Sequence, residues 1–503
     1  MLRSSWRAPL TALATTAALA ASATAAQAAI TAPGTVANPK KAGTAGTPCN
    51  AGGIHCYTPQ QMRDAYGVSA VPDKGDGQTI VLVDSYGTPT GAQDLQTFHD
   101  TFFANEPDPS FDEVYPNGKP KYTSCRGNGT QHSGPCAAEG WAGEATLDIE
   151  WAYAMAPHAH IVLLAVPPAE TLGVQGMPNL FKAISAAIDH YPSGTVFSMS
   201  FGFPEQDFTG GSAKAQVAKY DAVFQKGLAK GDTFFASSGD DGSTGTAKQQ
   251  HESTSFSEPT VGYPASSPYV TAAGGTQLQY HWTWNPSSDI PFTADGNNNP
   301  AYFAATPDDN NQNVVWNESW LPAATGGGSS VIYPRPSWQD SVASRITDTN
   351  GKPVNARGLP DISWNAAVNG GVLVWTSYFP KDSPPAFHIY GGTSAASPQL
   401  AGLTALVNEQ RGDAGKGPIG YLNPVLYGSD GAGVTDVVPT HEGAPGVVSG
   451  DLVNNRLFDY NGDGNPVTPG PVPGWPTTSG WDETTGFGTP DAPAFVSALT
   501  AAP

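Results

Sequence analysis

Short apolar, strand-like runs alternate with helical stretches along the first half of the chain, and this alternation restricts the fold more than any other feature. The strand-like runs are Thr79–Val83, His160–Ala165, Thr195–Ser200 and Thr233–Ala236. The helical stretches between them are 143–156, 178–190 and 213–230. Strands that alternate with helices predict a mainly parallel sheet with helices on both faces. The chain shows no tandem repeat and no change of composition, so we predict an α/β fold in a single large domain.

The acidic charge of the chain argues against two classes of partner. Its 503 residues include 23 basic and 44 acidic side chains, which give a formal net charge of −21. Nucleic acids and anionic membrane surfaces attract Lys and Arg, so we expect no nucleic acid and no membrane among the partners. The same charge is compatible with exposure to acid, where many carboxylates become neutral.

The N-terminus has features that are typical of a secretory signal. Arg3 and Arg7 precede an Ala- and Leu-rich run, and this run ends at Ala26-Gln27-Ala28, a cleavage site of the A-x-A type. The run is short and rich in Ala and Thr, which favours cleavage over a membrane anchor. We therefore predict a signal peptide at 1–28, a flexible lead-in at 29–56 and a secreted, extracellular protein.

The four cysteines form two pairs that are close in sequence. Cys49 and Cys56 make one pair, and Cys125 and Cys136 make the other. In an exported protein this spacing predicts the disulfides Cys49–Cys56 and Cys125–Cys136, which is one of three connectivities. A metal site is the weaker alternative, because no Cys-x-x-Cys spacing occurs.

A serine stands at the predicted start of a helix behind two glycines. Residues 391–398 read Gly-Gly-Thr-Ser-Ala-Ala-Ser-Pro, and apolar residues then recur at helical spacing. The partial positive charge of a helix N-terminus favours an oxyanion there. We expect Pro398 in the first turn, where a missing N–H costs little. Ser394 is therefore a candidate nucleophile that needs a base to activate it.

Two carboxylates are candidates for that base. Glu144 and Asp148 are four residues apart, so they lie on one face of the predicted helix. A solvated acidic face is the ordinary interpretation of such a pair. The neighbouring residues are mostly apolar, however, which predicts a buried helix. Buried carboxylates in contact have pKa values that move apart, so one stays ionised and can accept a proton.

A histidine base is the alternative. The chain has ten histidines, but the His-Gly-Thr helix start of a Ser-His-Asp subtilase is absent. Asp84 does resemble the catalytic aspartate at a strand end in those enzymes. Without the histidine segment, the residues favour the Glu144–Asp148 pair as the partner of the serine.

Further short segments occur in a characteristic order around these residues. They are Gly143–Ala152, Ser237–Gly242, Tyr263–Thr271, Gly326–Ser329, Pro336–Gln339, Gly358–Asp361, Gly392–Ser394, Gly480–Asp482 and Thr485–Gly488. Each is weakly specific alone, but together they resemble the sedolisins, the family of serine-carboxyl peptidases. The resemblance runs from about Tyr57 to Ser497, and we predict a sedolisin-like peptidase domain at 57–503.

The resemblance implies a subtilisin-like fold and a secreted endopeptidase that is active at acidic pH through an acyl-enzyme. By position, Ser394 matches the nucleophile, Glu144 its general base, Asp148 the residue that orients Glu144, and Asp240 the acid of the oxyanion hole. A protonated carboxylic acid can donate a hydrogen bond to an oxyanion. The expected partners are protein or peptide substrates, and we expect a monomer. For Asp240, a plain turn residue is the alternative interpretation.

The resemblance also implies one structural Ca²⁺ ion in the C-terminal region, 430–490. The matching positions are Asp436 and Asp482 as side-chain ligands, and Val437, Thr478 and Gly480 as carbonyl ligands. Oxygen ligands of this kind suit calcium. Plain turn residues are the alternative. Asp459 and Asp463 resemble the start of a second calcium loop, but Gly470 stands where its closing Glu belongs, so an ordinary turn is favoured there.

Two departures from the sedolisin pattern leave other functions open. The segment 29–56 is too short for the large N-terminal prodomain of the family, so we expect a form without it. Asp84 and Phe201 stand where family members often have Glu and Trp. The alternatives are a non-catalytic secreted binding protein on the same scaffold, and a Ser-His-Asp subtilase.

Overall fold

The structure is a computed structural model, and it describes the chain in several segments. The described residues are 30–31, 49–51, 54–120, 137–167, 170–208, 213–245, 258–279, 282–284, 303–305, 312–318, 323–378, 384–438, 454–459, 468–469 and 472–503. The predicted signal peptide, Cys125, Cys136 and Asp463 lie outside them.

Helices and strands alternate through most of the described chain. The helices are α1 (Pro59–Ala65), α2 (Gly91–Phe102), α3 (Ala137–Met155), α4 (Met177–His190), α5 (Ala213–Lys230), α6 (Thr393–Asp413), α7 (Leu422–Gly428) and α8 (Ala492–Ala501). The strands are β1 (Ile30–Thr31), β2 (Cys49–Ala51), β3 (Ile54–Tyr57), β4 (Thr79–Asp84), β5 (Ser110–Val114), β6 (His160–Ala165), β7 (Val196–Met199), β8 (Phe203–Pro204), β9 (Thr233–Ser237), β10 (Gly262–Tyr263), β11 (Thr271–Gln279), β12 (Trp282–Trp284), β13 (Phe303–Ala305), β14 (Gln312–Val315), β15 (Asn317–Glu318), β16 (Ala323–Ala324), β17 (Gly328–Ser329), β18 (Gly358–Leu359), β19 (Ile362–Asn365), β20 (Gly371–Thr376), β21 (Ala386–Gly391), β22 (Val434–Thr435), β23 (Phe458–Asp459), β24 (Thr468–Pro469) and β25 (Thr489–Pro490).

An eight-stranded sheet forms the centre of the fold. Its order is β5-β6-β4-β7-β9-β11, and β19 and β14 both pair with β11. Every pair in this sheet is parallel except β11 with β14. The predicted α/β fold with a mainly parallel sheet is confirmed.

The central strands are buried on both faces, as their continuous apolar runs predict. Along β4, Ile80 and Leu82 belong to the core that includes the residues of α3 and α6. Val81 and Val83 point the other way, into the core that includes the residues of α4 and α5. This alternation follows from the two-residue period of a strand. It places α3 and α6 together on the same side of the sheet.

Helix α6 is buried along most of its length and packs against α3. Small residues permit the close approach, because a Cβ at Gly402 would lie 2.5 Å from Met155 Cβ and 2.9 Å from the Ala152 carbonyl oxygen. The expectation for Pro398 is wrong in position. The helix begins at Thr393, so Pro398 lies beyond the first turn, inside the helix.

The C-terminal end of the predicted lead-in contains paired strands. Strands β2 and β3 form a hairpin in which Cys49 stands directly opposite Cys56. Opposite residues of an antiparallel pair have Cα atoms about 4.5–5.5 Å apart, which suits a disulfide. The Cys49–Cys56 pairing stays a prediction. Among the described residues, no helix combines the length and apolar character needed to span a bilayer.

The close approach of α3 and α6 predicts opposite effects for two glycine substitutions in α6. Gly402→Ala forces a clash with α3, and we expect the free energy of unfolding to fall by roughly 1–3 kcal/mol. Gly412→Ala is the matched control, because nothing lies within 4 Å of its Cβ position. There the better helix propensity of Ala should add up to about 1 kcal/mol. Chemical denaturation measures both, and equal stabilisation by the two would contradict the packing.

Candidate active site

Three neighbouring strands of the central sheet end at one edge with polar side chains. Strand β4 ends in Asp84, and β7 and β9 are followed closely by Ser200 and Asp240. Because β4, β7 and β9 are adjacent and parallel, their carboxyl ends meet at the same edge. Ligands of parallel sheets bind at this edge. Helix α6 contacts all three strands, and its N-terminal turn carries Ser394.

Ser394 is the second residue of α6 and is fully buried. The preceding Gly392 has a φ of +103°, a conformation that L side chains rarely adopt. Inside the helix, Pro398 has no N–H for the carbonyl oxygen of Ser394, four residues before it. The hydroxyl oxygen of Ser200 lies 3.4 Å from that carbonyl oxygen, a weaker contact than the 2.9 Å hydrogen bond that Ser200 donates to Asp148. Because Pro398 leaves the Ser394 carbonyl oxygen without a helical partner, this oxygen faces the Ser200 hydroxyl at the end of β7.

The predicted carboxylate pair lies on α3 and is buried, with Glu144 1% exposed and Asp148 0% exposed. Asp84 joins the pair, because one carboxylate oxygen from each of the three lies within 4.8 Å of the others. Three carboxyl groups at this separation can share protons or hold a cation. The solvated acidic face considered for Glu144 and Asp148 does not fit their burial.

Burial raises the pKa values of two carboxyl groups of this cluster, Asp84 and Asp148. It raises the pKa of Asp84 to about 8. Burial also holds the pKa of Asp148 well above its usual range, and the negative charges of Asp84 and Glu144 add to the effect. Against these, the Ser200 hydroxyl donates to Asp148 Oδ1 at 2.9 Å, which favours the ionised form. The cluster therefore keeps protons in weakly acidic solution.

Asp240 lies on the other side of the serine's turn. The backbone N–H and the hydroxyl of Thr393 both donate to its Oδ1, each at 2.8 Å. Its Oδ2 is buried and has no hydrogen-bond partner within the described part of the chain. Burial raises the pKa of Asp240 to about 7, while the bonds from Thr393 lower it. A carboxyl group with these properties is protonated in acid and can donate a hydrogen bond from Oδ2.

A glycine-rich loop supports the turn that carries Asp240. Gly326 donates to the Gly239 carbonyl oxygen at 2.6 Å, and Ser238 donates to the Gly326 carbonyl oxygen at 2.7 Å. A Cβ at Gly326 would lie 2.3 Å from the Ser238 carbonyl oxygen. The Gly326-Gly327-Gly328 segment is therefore glycine-rich because two backbones meet there.

The structure brings together the four residues that the sequence predicts for catalysis, on α3, α6 and the loop after β9. It adds Ser200 and Thr393, which the prediction did not include, and Asp84, which the sequence analysis named as a strand-end aspartate but not among the catalytic residues. A polar residue at the end of a buried strand is a usable signal for Asp84 and Ser200. Only the contact between Thr393 and Asp240 in the structure identifies Thr393 as part of the site.

The histidines whose contacts are described lie in other surroundings. His99 Nδ1 lies 2.6 Å from the Tyr153 hydroxyl, inside the core. His158 and His160 are partly exposed and pair with surface carboxylates. Helix α3, which packs beside the serine's helix, contains no histidine in its sequence. On the α3 side of the serine's helix, the candidates for the general base are therefore carboxyl groups.

The predicted calcium ligands lie around one loop near the C-terminus. Asp436 Oδ2 accepts from the Gly480 N–H at 2.7 Å, and Asp482 Oδ2 accepts from the Thr478 N–H at 2.8 Å. Asp436 Oδ1 is buried and has no hydrogen-bond partner among the described residues. Val437 directly follows Asp436 and donates its N–H to the same carboxylate. A buried carboxylate oxygen without a hydrogen-bond partner is free to coordinate a Ca²⁺ ion.

An arginine lies beside this loop without taking the predicted ligand positions. Arg345 donates to the carbonyl oxygens of Ser479 at 2.6 Å and Trp481 at 3.3 Å. These carbonyls alternate along the chain with those of Thr478 and Gly480. The buried Oδ1 of Asp436, which has no hydrogen-bond partner among the described residues, favours a cation here, whereas the positive charge of Arg345 already acts on Asp436. The possible second loop is described only at Asp459, so that prediction falls mainly outside the described residues.

Sequence comparisons place the chain among known peptidases. The family model described as the subtilase family matches residues 75–417. Kumamolisin from Bacillus sp. (strain MN-32) is 29% identical over 448 residues, which cover 88% of this chain and 63% of that protein. Tripeptidyl-peptidase 1 from Homo sapiens is 27% identical over 370 residues, which cover 71% of this chain and 51% of that protein. The chain thus spans between about half and two thirds of the length of these curated relatives.

A solved structure gives the same result for the fold. Pseudomonas sedolisin, a serine-carboxyl proteinase complexed with two molecules of pseudo-iodotyrostatin, matches with a TM-score of 0.60 and 25% identity. The match covers 89% of this chain and 99% of that one. The predicted subtilisin-like fold and the predicted resemblance to the sedolisins are confirmed.

The buried acids predict that the protein is more stable in acid than at neutral pH. Asp84, Asp148, Glu150 and Asp240 have raised pKa values in the folded state, whereas they ionise near pH 4 when unfolded. Above about pH 4 the folded state therefore binds more protons, and its free energy of unfolding falls as pH rises through about 7. Calorimetry should give a higher Tm at about pH 4.5 than at about pH 7.5.

Asp84→Asn is the control for this prediction. It removes one group that takes up a proton on folding, so its Tm should fall less steeply over the same range. A Tm that rises from acid to neutral pH would contradict the prediction.

Proposed function

The chain belongs to the subtilase family, and we propose that it is a serine-carboxyl peptidase that hydrolyses protein or peptide substrates in acid. One observation carries the proposal. Ser394, buried at the start of α6, stands between a buried carboxyl cluster on one side and a carboxyl group with a free, protonatable oxygen on the other.

The proposed reaction uses both sides of this arrangement. Ser394 Oγ attacks the carbonyl carbon of the scissile bond while Glu144 accepts its proton, and Asp148 orients Glu144. Asp240 donates a hydrogen bond from Oδ2 to the oxyanion that forms. When the tetrahedral intermediate collapses, the C–N bond breaks and the leaving amine takes the proton from Glu144. Water then hydrolyses the acyl-enzyme by the same steps in reverse.

The raised pKa values support an acidic working range. Asp240 must be protonated to donate, and its pKa of about 7 sets an upper limit of pH. The cluster of Glu144, Asp148 and Asp84 must hold fewer protons than it has carboxyl groups, or no base remains. That condition fails at low pH, because each group finally takes up a proton. As the pH increases, the activity should therefore rise to a maximum below neutral pH and then fall.

Two other functions receive less support. A Ser-His-Asp subtilase would need a histidine beside Ser394, and the neighbouring helix α3 has none in its sequence. A non-catalytic binding protein on this scaffold would not need Oδ2 of Asp240 to stay buried and open beside the serine. Both alternatives predict a different dependence on pH from that of the carboxyl mechanism.

We propose an endopeptidase, although one similar protein is named a tripeptidyl-peptidase. Mass spectrometry of the products separates the two activities. Internal cleavage of a protein with a blocked N-terminus supports the endopeptidase, whereas release of tripeptides from free N-termini alone would overturn it. Secretion and a monomeric state remain part of the proposal, supported by the signal-like N-terminus and the acidic charge.

We also propose one structural Ca²⁺ ion in the C-terminal loop. Asp436 and Asp482 would hold it through their side chains, and Val437, Thr478 and Gly480 through carbonyl oxygens. The ion would neutralise the carboxylates of Asp436 and Asp482, which lie on two segments, and would tie these segments together.

Substitutions of the serine and its proposed base should abolish cleavage. Ser394→Ala removes the nucleophile, and Glu144→Gln keeps the shape of the side chain but cannot accept the proton. We expect kcat at about pH 4 to fall at least roughly 10²–10⁴-fold for Glu144→Gln. Glu139→Gln, a buried glutamate of the same helix, is the control and should keep most of the activity. Activity retained in either site variant would exclude the mechanism.

Removal of calcium should lower the thermal stability. We expect a lower Tm in EDTA and recovery when Ca²⁺ is added back, because the two carboxylates otherwise repel each other. Asp436→Asn should weaken this calcium response. Asp430→Asn, in the same region but away from the proposed ligands, should keep it. A Tm that is the same with and without EDTA would count against the ion.

A further inference from the structure

We propose that the hydroxyl groups of Thr393 and Ser200 are positioning groups that decide which oxygen of each active-site carboxyl carries the proton. Thr393 acts on Asp240, and Ser200 acts on Asp148. The inference rests on the proposed function, because it concerns the donor and the base of that reaction. Neither hydroxyl reacts with the substrate.

Thr393 makes the two oxygens of Asp240 unequal. Its N–H and its hydroxyl both donate to Oδ1, at 2.8 Å each. A proton on Oδ1 would face the backbone N–H, which can only donate, and that contact is repulsive. When Asp240 is protonated, its proton therefore lies on Oδ2.

The direction of the Thr393 hydroxyl is itself fixed by the backbone. Gly239 donates its N–H to Thr393 Oγ1 at 3.1 Å. Because the oxygen already accepts from a rigid donor, its own proton is directed to the remaining partner, Asp240 Oδ1. The residue that precedes Asp240 in sequence thus orients the hydroxyl that orients Asp240.

The free oxygen of Asp240 is kept open by a missing side chain. A Cβ at Gly392 would lie 2.7 Å from Oδ2, closer than real Cβ atoms approach an oxygen. Gly392 also has a φ of +103°, which favours glycine. The segment Gly392-Thr393-Ser394 therefore has three separate tasks: it opens Oδ2, holds Oδ1 and presents the nucleophile.

Ser200 has the corresponding role for the base. Its hydroxyl donates to Asp148 Oδ1 at 2.9 Å, and Asp148 Oδ2 has no hydrogen-bond partner in the described part of the chain. The carbonyl oxygen of Ser394 lies 3.4 Å from the same hydroxyl, so Ser200 stays in place beside the nucleophile. A proton taken up by Asp148 therefore lies on Oδ2, and Oδ1 stays an acceptor.

The charged neighbours of the two carboxyl groups are different. Asp241 acts on Asp240 from the same turn. Asp84 from β4 and Glu144 from α3 act on Asp148. Each hydroxyl stabilises the ionised form of its own partner. Removing one hydroxyl should therefore move one limb of the pH–rate profile and leave the other in place.

The test is a set of pH–rate profiles from about pH 3 to about pH 8. Thr393→Val removes the hydroxyl at nearly constant volume, and we expect the alkaline limb to move up by about one pH unit. The maximal kcat should fall roughly 10- to 100-fold, with little change in KM, because Oδ1 is then held by the backbone N–H alone and the carboxyl group is less firmly oriented towards the oxyanion. Thr393→Ser keeps a hydroxyl and should restore both properties.

Ser200→Ala should instead move the acid limb to higher pH and leave the alkaline limb unchanged. Thr404→Val and Ser198→Ala are the matched controls. The Thr404 hydroxyl bonds to the Leu400 carbonyl oxygen in the same helix, and the Ser198 hydroxyl bonds to Ser397. Both controls remove a buried hydroxyl, and neither should move a limb.

The outcomes separate this proposal from the proposed function. If the wild type cleaves substrate and Ser394→Ala does not, the function stands, and limbs that stay in place in Thr393→Val and Ser200→Ala overturn the positioning role alone. If the wild type cleaves nothing, the function fails. The positioning role is then decided without turnover, from the infrared band of protonated Asp240 in the wild type and in Thr393→Val, identified by its loss in Asp240→Asn. An unchanged titration of that band would overturn it.

Discussion

The packing of α6 between the parallel sheet and α3 is the constraint on which the site depends. It brings a helix N-terminus to the carboxyl edge of the sheet, where three strands end in polar residues. The packing is possible because Gly402 lets the two helices meet at backbone distance. Once α6 is in place, the nucleophile, the carboxyl cluster and Asp240 cannot be placed independently of one another.

Desolvation does most of the chemical tuning at this edge. Burial is the largest cause of the raised pKa values of Asp84, Asp148 and Asp240, and hydrogen bonds from Ser200 and Thr393 oppose it only in part. Within the described part of the chain, no arginine or lysine lowers the pKa of any of these three carboxyl groups. Because these carboxyl groups are buried without a cationic partner, they stay protonated instead of ionised. Such a site is suited to acidic solution.

Much of this arrangement follows from sequence pattern, and the remainder depends on contacts between distant segments. The helical spacing of Glu144 and Asp148 and the strand-like runs predict their elements because both patterns are local. The order of β4, β7 and β9 is not local, so the meeting of Asp84, Ser200 and Asp240 could not be derived from periodicity. Pro398 lies inside α6 and not in its first turn, because the helix already begins at Thr393. The resemblance to the sedolisins supplied the pairing of Ser394 with Asp240.

The strand order has an electrostatic consequence. Strand β7 separates β4, which carries Asp84, from β9, which leads to Asp240. Two strand spacings amount to about 10 Å, and the intervening side chain is the uncharged Ser200. The charge that acts on Asp240 accordingly comes from Asp241, not from the cluster. The separation by one strand weakens the interaction between the cluster and Asp240, so one part of the site can release a proton while the other keeps its own.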